Sequence, residues 1–501
     1  MVSETDPSAA VKQRHLNVAS DVLPEHTGLY IGGEFVSSAA DDTFETVDPT
    51  TGQVLADVGR GRAEDIDRAV EAAWSAFDST WADYSAGERQ RVLTEISETI
   101  AEHADELARL ETLDNGKPIS EARIDIQDAA EQFQYFAGIV RTLSGSTLNE
   151  ESRYGQVITE PYGVVGQIIP WNFPLMMASW KLAPALAAGN CLILKPAEQT
   201  PLSVLRFAEL IDEIVPDGVI NIVPGYGHEA GDSLTSHSDV RKVAFTGSTG
   251  VGTKVMQNAA ESITDVTLEL GGKSPVVVFP DADIEEAASI VSSAIFYNTG
   301  ECCEAGSRLF VHTEIADDVL EALVDMVGEL QIGDPLEEST DVGPKVSHEQ
   351  VDRTLEYLEG ARKDGGEFLV GGQEPSEEEL AGGCYVEPTL IDGLSHESEA
   401  AQQEIFGPVL TAFRWDDYDQ MIELVNDVEY GLAGGVITDD ITQANTTARD
   451  IEAGYIWIND YHTITPGLPF GGYKQSGIGR ELSEETLKHY QQTKTISLSL
   501  D

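Results

Sequence analysis

Cysteine is scarce in this chain. Only four of its 501 residues are Cys, and two of these, Cys302 and Cys303, are adjacent. Neighbouring cysteines fit a disulfide poorly, because the bridge needs alpha carbons about 5–6 Å apart and a particular dihedral. That argues against a disulfide-stapled secreted domain and for a reducing cytoplasm. The C-x-x-C spacing of a zinc ribbon or a thioredoxin-like site is also missing, so no metal site is expected. Cations are scarce too. Lys and Arg number 30, only 12 of them Lys, against 88 Asp and Glu, for a net charge of −58. Phosphate contact needs local cations, so a nucleic-acid binder is excluded. No apolar run is long and unbroken enough for a transmembrane helix. Residues 1–7 lack the basic-then-apolar pattern of a signal peptide. The acidity is spread along the chain. At ordinary ionic strength such a surface repels itself, whereas in molar salt the Debye length falls to about 3 Å. An enzyme adapted to a high-salt cytoplasm is expected.

The cysteine pair lies in Tyr297-Asn298-Thr299-Gly300-Glu301-Cys302-Cys303-Glu304-Ala305-Gly306-Ser307-Arg308. A thiol on a glycine-marked turn, beside groups that set its pKa, has the form of a nucleophile. Free cysteines are also commonly small buried residues, and this segment alone leaves both readings open. Upstream, Glu269 interrupts the apolar ribbon Val266-Thr267-Leu268-Glu269-Leu270 before Gly271-Gly272. It is either an exposed edge residue or a half-buried base with a raised pKa. Further upstream, Pro170 and Pro174 bracket Trp171-Asn172-Phe173 after an apolar strand. That rigid turn suits an amide N–H donor held in place, as an oxyanion hole requires. The alternative for Asn172 is a turn residue bonding its own backbone.

Residues 1–26 are polar with weak periodicity and read as a mobile arm. Helical spacing runs from Asp65 to Phe77 and from Gly87 to Leu113. Strands are expected at 164–169, 191–194, 219–223 and 243–245, with helices at 203–214 and 251–260. This alternation implies an α/β fold, a parallel sheet with helices on both faces. Gly247-Ser248-Thr249-Gly250-Val251-Gly252 follows a strand and opens a helix, but its spacing is not G-x-G-x-x-G.

In this order and spacing, the three segments resemble the aldehyde dehydrogenase superfamily. So do Lys195-Pro196-Ala197-Glu198, Phe245-Thr246-Gly247-Ser248, Glu404-Ile405-Phe406-Gly407-Pro408 and the stretch from Pro469 to Gly477. The resemblance implies a variant Rossmann domain with a catalytic domain and a small β oligomerisation arm. The expected division is 1–140 with 163–271 for NAD binding, 272–474 for catalysis, and 141–162 with 475–501 for the arm. Cys303, not Cys302, takes the nucleophile position. Asn172 and the Cys303 backbone N–H form the oxyanion hole, Glu269 activates water, and Lys181 and Glu481 support the site and relay protons. Trp171, Lys195, Glu198, Gly247, Ser248, Gly252, Leu270, Glu404 and Phe406 face the cofactor. Glu198 favours NAD over NADP by repelling a 2′-phosphate, although Lys195 nearby suits one. Phe173, Met177, Trp180, Tyr297 and Phe470 form the substrate pocket.

The implied reaction is oxidation of an aldehyde, betaine aldehyde or a general aliphatic or aromatic one, through a cysteine thioester. The alternatives are a CoA-acylating or acyl-transfer enzyme using the same cysteine, and an inactive binding protein on this fold. A homodimer or homotetramer is implied. Glu301 and Glu304 depart from the family pattern, and both side chains are expected to point to solvent.

Overall fold

The structure, a computed structural model, describes residues 7–500. Two large sheets organise it. The first has eight strands in the order Glu34–Val36, Leu29–Ile31, Ile220–Ile222, Cys191–Lys195, Val164–Ile168, Lys242–Thr246, Asp265–Glu269 and Gly477–Ile478. Its five middle strands are parallel, and the pairs at both edges are antiparallel. The strands 164–168, 191–195 and 242–246 are buried at every position. Most of their residues are apolar, as suits a parallel sheet covered on both faces. The four expected strands are therefore present, with ends shifted by a residue or two.

The helix Pro174–Ala188 is buried along its whole length. Proline at its first position and Gly189 in the left-handed region (φ 94°) delimit it, in keeping with the preferences of the two ends. The second sheet has seven strands: Glu367–Val370, Thr389–Asp392, Val409–Trp415, Arg308–His312, Pro275–Val278, Ala433–Ile437 and Tyr455–Ile458. All its pairings are parallel except the first. A three-stranded sheet pairs Gln491–Ser499 with Arg153–Pro161, and the latter with Ser146–Glu150.

Two sequence expectations need correction here. Residues 7–22 do not form a mobile arm but a helix, Pro7–Val22. Its His15 is buried, with Nδ1 2.8 Å from Asp48 and Nε2 2.9 Å from Asp334. Burial favours the neutral ring, but the two carboxylates outweigh it and move the imidazole up to about 9, so it stays a cation at neutral pH and ties the helix down. The remainder of the expected arm, residues 1–6, lies outside the described residues. The run read as one helix from Gly87 to Leu113 is two, Ala86–Glu102 and Ala104–Asn115, broken at His103.

Burial sharpens the charge imbalance. Lys117, Lys181, Lys195, Lys242, Lys273 and Lys345 are all interior, half of the chain's 12 lysines. Few cations are left to offset surface carboxylates. The melting temperature should rise by several degrees between 0.1 M KCl, with a Debye length of about 10 Å, and molar KCl, with one of about 3 Å. A thermal melt at the two salt concentrations checks this, and equal values would mean that the acidity serves something other than salt adaptation.

Candidate active site

A cavity of about 490 Å³ opens at the carboxyl ends of the parallel strands of the first sheet. Ile168, Lys195, Thr246 and Glu269, each the last residue of its strand, line it. The strand 164–168 lies between 191–195 on one side and 242–246 on the other. Chain order reverses there, and such a switch point is where open α/β sheets bind ligands.

Cys303, Asn172 and Glu269 all line this cavity. Cys303 is half-buried on it, whereas Cys302 is 3% exposed and lines neither this cavity nor the second one described below. The turn leading to the pair is unusual. Asn298, Thr299 and Gly300 have φ of 49°, 56° and 70°, a left-handed run disfavoured for a β-branched residue. It is pinned from several sides. Glu121 accepts from the Asn298 backbone N–H at 2.9 Å. The Asn298 amide donates to the Asn172 and Glu301 carbonyls, both at 3.1 Å. Thr299 Oγ1 donates to the Gly343 carbonyl at 3.2 Å.

Asn172 Nδ2 donates to the Glu301 carbonyl at 3.0 Å. The amide has a second N–H, which leaves one donor for a ligand on this wall. Glu269 is 5% exposed, and its Oε2 has no hydrogen-bond partner. Burial first, then Glu481, pushes its carboxyl well up, against the opposing pull of Lys181 and Arg480. It is thus a buried carboxyl, not an exposed edge residue. Lys181 and Glu481 are buried and paired at 2.7 Å. They do not line the cavity but stand close enough to set the field at Glu269.

The adjoining carboxylates do not point to solvent. Glu301 is 1% exposed and pairs with buried Lys345 at 3.0 Å. Glu304 is 5% exposed; its Oε2 accepts from the Cys303 thiol at 3.0 Å, and its Oε1 lies 3.3 Å from His462 Nδ1. Burial favours the neutral acid, but His462 and the thiol outweigh it and hold Glu304 down at about 2. Burial and the Glu304 charge in turn push the Cys303 thiol well up. Cys302 Sγ, a Glu304 oxygen and a His462 nitrogen lie within 4.8 Å of one another, a loose grouping in which both Glu304 oxygens are already engaged.

Most of the expected cofactor residues share the main cavity: Trp171, Lys195, Glu198, Gly247, Ser248, Leu270, Glu404 and Phe406. Lys195 Nζ is 3.0 Å from Glu198. Ser248 caps the helix Thr249–Ala260, its hydroxyl accepting from the Val251 N–H at 3.4 Å. Glu404 accepts from the Gly272 N–H at 2.9 Å and is moved up to about 7 by burial. Phe406 has a φ of 59° and meets Trp171 edge-on, ring centres 5.2 Å apart. Gly252 does not line the cavity; a Cβ there would run into Leu270, so its small size serves packing.

The expected substrate aromatics divide. Met177 and Phe470 line the main cavity, Phe173 and Tyr297 a second one of about 470 Å³, and Trp180 both. Several residues escaped the sequence reading. His228, Asp232 and Arg353 line the main cavity, and Asp128, Gln132 and His462 the second. Apart from His462, none stands in a motif that marks it, so only the fold collects them.

Comparison with known proteins places this geometry. The sequence profile described as "Aldehyde dehydrogenase family" matches residues 35–496. The chain belongs to that family, and it is an enzyme of that class. It is similar to an acetaldehyde dehydrogenase from Pseudomonas aeruginosa, 45% identical over 95% of each chain. It also resembles the NAD+ complex of an aldehyde dehydrogenase from Bacillus cereus, 45% identical with a TM-score of 0.94 over 96% of this chain and 98% of that one. A third likeness is to betaine aldehyde dehydrogenase from Staphylococcus aureus in complex with NAD+, 39% identical with a TM-score of 0.95 over 97% and 98%. Among the described residues, no helix is long and apolar enough to cross a membrane.

Proposed function

We propose that this chain oxidises an aldehyde to a carboxylate with NAD, using Cys303 as nucleophile. The observation that carries the reading is that Cys303, Asn172 and Glu269 line one cavity at the strand ends. Cys303 Sγ adds to the carbonyl carbon. The second N–H of Asn172 and the Cys303 backbone N–H hold the resulting oxyanion. NAD, when bound, supplies the hydride acceptor. Glu269 then takes a proton from water, whose oxygen attacks the thioester and releases the acid. Lys181 and Glu481 stand behind Glu269 and tune its proton affinity.

The cavity fits a dinucleotide. Thr246 Oγ1 is buried on its wall without a partner, and the first-turn N–H groups of Thr249–Ala260 suit a phosphate. Glu198 is the residue for the adenosine ribose, Glu404 for the nicotinamide ribose, with Phe406 beside the ring. On this reading 1–140 with 163–271 hold NAD, and 272–474 carry the catalytic cysteine. The exposed sheet of Ser146–Glu150, Arg153–Pro161 and Gln491–Ser499 pairs with a second copy of the chain. It exposes Leu148, Ile496 and Leu498, an unprotected edge that favours pairing. The cytoplasm is the compartment that suits four free thiols.

A panel of aldehydes assayed with NAD and NADP in molar KCl tests the reading; absence of aldehyde-dependent NADH across the panel overturns it. Within that panel, NAD should give the higher kcat/KM. Glu198→Ser should narrow the NAD-to-NADP ratio on the order of tenfold, equivalent to ~1.4 kcal/mol. It removes the carboxylate that repels a 2′-phosphate and frees Lys195 to meet one. Equal use of the two cofactors by the unmodified enzyme would remove that role from Glu198.

A further inference from the structure

Before Cys303 can bond to a carbonyl carbon, its S–H proton needs an acceptor. Burial and the Glu304 charge push the thiol well up, so a standing thiolate does not await the aldehyde at neutral pH. The acceptor has to lie within hydrogen-bond reach of Sγ, about 2.6–3.2 Å. Among the described residues, the one hydrogen bond of this thiol goes to Glu304 Oε2, at 3.0 Å. Glu269 makes none to it, and its Oε2 is unpaired.

Glu304 is fixed for this contact. It is buried, and the Tyr461 hydroxyl donates to its backbone carbonyl at 2.7 Å. Its other carboxylate oxygen, Oε1, is 3.3 Å from His462 Nδ1, and His462 Nε2 is 3.2 Å from the Ser293 carbonyl. Both ring nitrogens face acceptors, and only the imidazolium donates to both. The Tyr297 ring lies against it, centres 5.0 Å apart. The carboxylate is thus held between a thiol on one side and a cation on the other.

We propose that Glu304 accepts the Cys303 thiol proton as Sγ bonds to the aldehyde carbon, with His462 as its counter-cation. The inference rests on the aldehyde-oxidising reading and goes beyond it by separating the base of addition from Glu269, the base of hydrolysis. In the step the S–H proton moves to Oε2, and the electron pair left on sulfur forms the S–C bond. The carbonyl π pair moves to the oxygen held by Asn172. Sulfur that is bonding to carbon is far more acidic than a free thiol, so a carboxylate held down by His462 is still base enough. The carboxylic acid formed beside the imidazolium is in turn a strong acid and passes its proton to water before the next turnover. The other titratable groups facing Glu304 are Cys302 on its own turn, Asp125 on the helix Ile119–Ile139 and Tyr461 beside His462; Glu269 and Glu404 face Cys303.

The test is single-turnover NADH formation with enzyme in excess over acetaldehyde, butanal or benzaldehyde, which isolates the steps before hydrolysis. Glu304→Gln should slow it on the order of 10²-fold at pH 7, and Glu304→Asp should recover part of the rate. Iodoacetamide alkylation of Cys303, read by peptide mass, should move the other way. It runs through the thiolate, which loses a repelling charge in Glu304→Gln, so at pH 8 it should be faster than in the unmodified enzyme. A misplaced thiol would slow both reactions. His462→Asn takes the cation from buried Glu304, so the carboxyl rises. Only its ionised form accepts the proton, and NADH formation should then fall off below neutral pH more steeply than in the unmodified enzyme. A thermal melt establishes that each variant is folded. NADH formation unchanged or faster in folded Glu304→Gln, or both reactions slowed together, overturns the inference and leaves the aldehyde reading standing. An acid side unmoved in His462→Asn overturns the part given to His462. No NADH from any of the three aldehydes with the unmodified enzyme defeats the aldehyde reading and the inference with it.

Discussion

Cys303→Ala should lose steady aldehyde-dependent NADH formation by on the order of 10⁴-fold or more, while Cys302→Ala keeps most of it. The two thiols form an internal control, since they differ by one position and by one bond direction. Cys303 is half-buried on the wall of the main cavity, beside Glu269 and Asn172. Cys302 is 3% exposed and faces neither cavity. It packs in the interior, and its truncation removes one sulfur atom from the core without touching the carbonyl's path. NAD binding should persist in Cys303→Ala, because Glu198, Ser248 and Glu404 lie on other segments. Fluorescence titration with NAD, together with steady-state rates for both variants, checks the pair. Substantial turnover in Cys303→Ala, or its loss in a folded Cys302→Ala, would reverse the assignment.

The parallel strands were legible because each has an apolar run bounded by polar or turn residues, as at Cys191–Lys195 and Lys242–Thr246. Motif order pointed to Cys303, Asn172 and Glu269, and the fold brings these three to one cavity. What stayed hidden depended on partners far along the chain. The helix Pro7–Val22 lacks an apolar stripe because part of its anchoring is ionic, through His15 between Asp48 and Asp334. Glu301 and Glu304 looked like two more surface charges in a chain full of them. Their burial is made tolerable by Lys345 and His462, whose proximity no local pattern encodes. Gly252 sat in a phosphate-like turn, yet its lack of a side chain answers to Leu270. Asp128 and Gln132 stand in no motif, and the cavity they line is built from segments up to some hundreds of residues away.

Glu269→Gln should separate the two halves of the reaction. Glutamine keeps the shape and a hydrogen-bonding end but has no proton affinity to lend. Cys303 is untouched, so addition and oxidation proceed once, and a stopped-flow trace should show a burst of about one NADH per active site. Release of the acid then stalls, because the attacking water has lost its base; steady turnover should fall roughly 10²–10⁴-fold. The pH dependence gives a second signature. Burial, reinforced by Glu481, holds the Glu269 carboxyl well above the ordinary carboxylate range. Only its ionised form can accept the proton. Turnover limited by hydrolysis should therefore rise with pH through that elevated pKa in the unmodified enzyme, and Glu269→Gln should lack that rise. Steady rates near those of the unmodified enzyme in a folded Glu269→Gln, or the same pH-dependent rise in both, would show that another group activates the water. A variant with neither burst nor turnover would place Glu269 in the first half of the reaction instead.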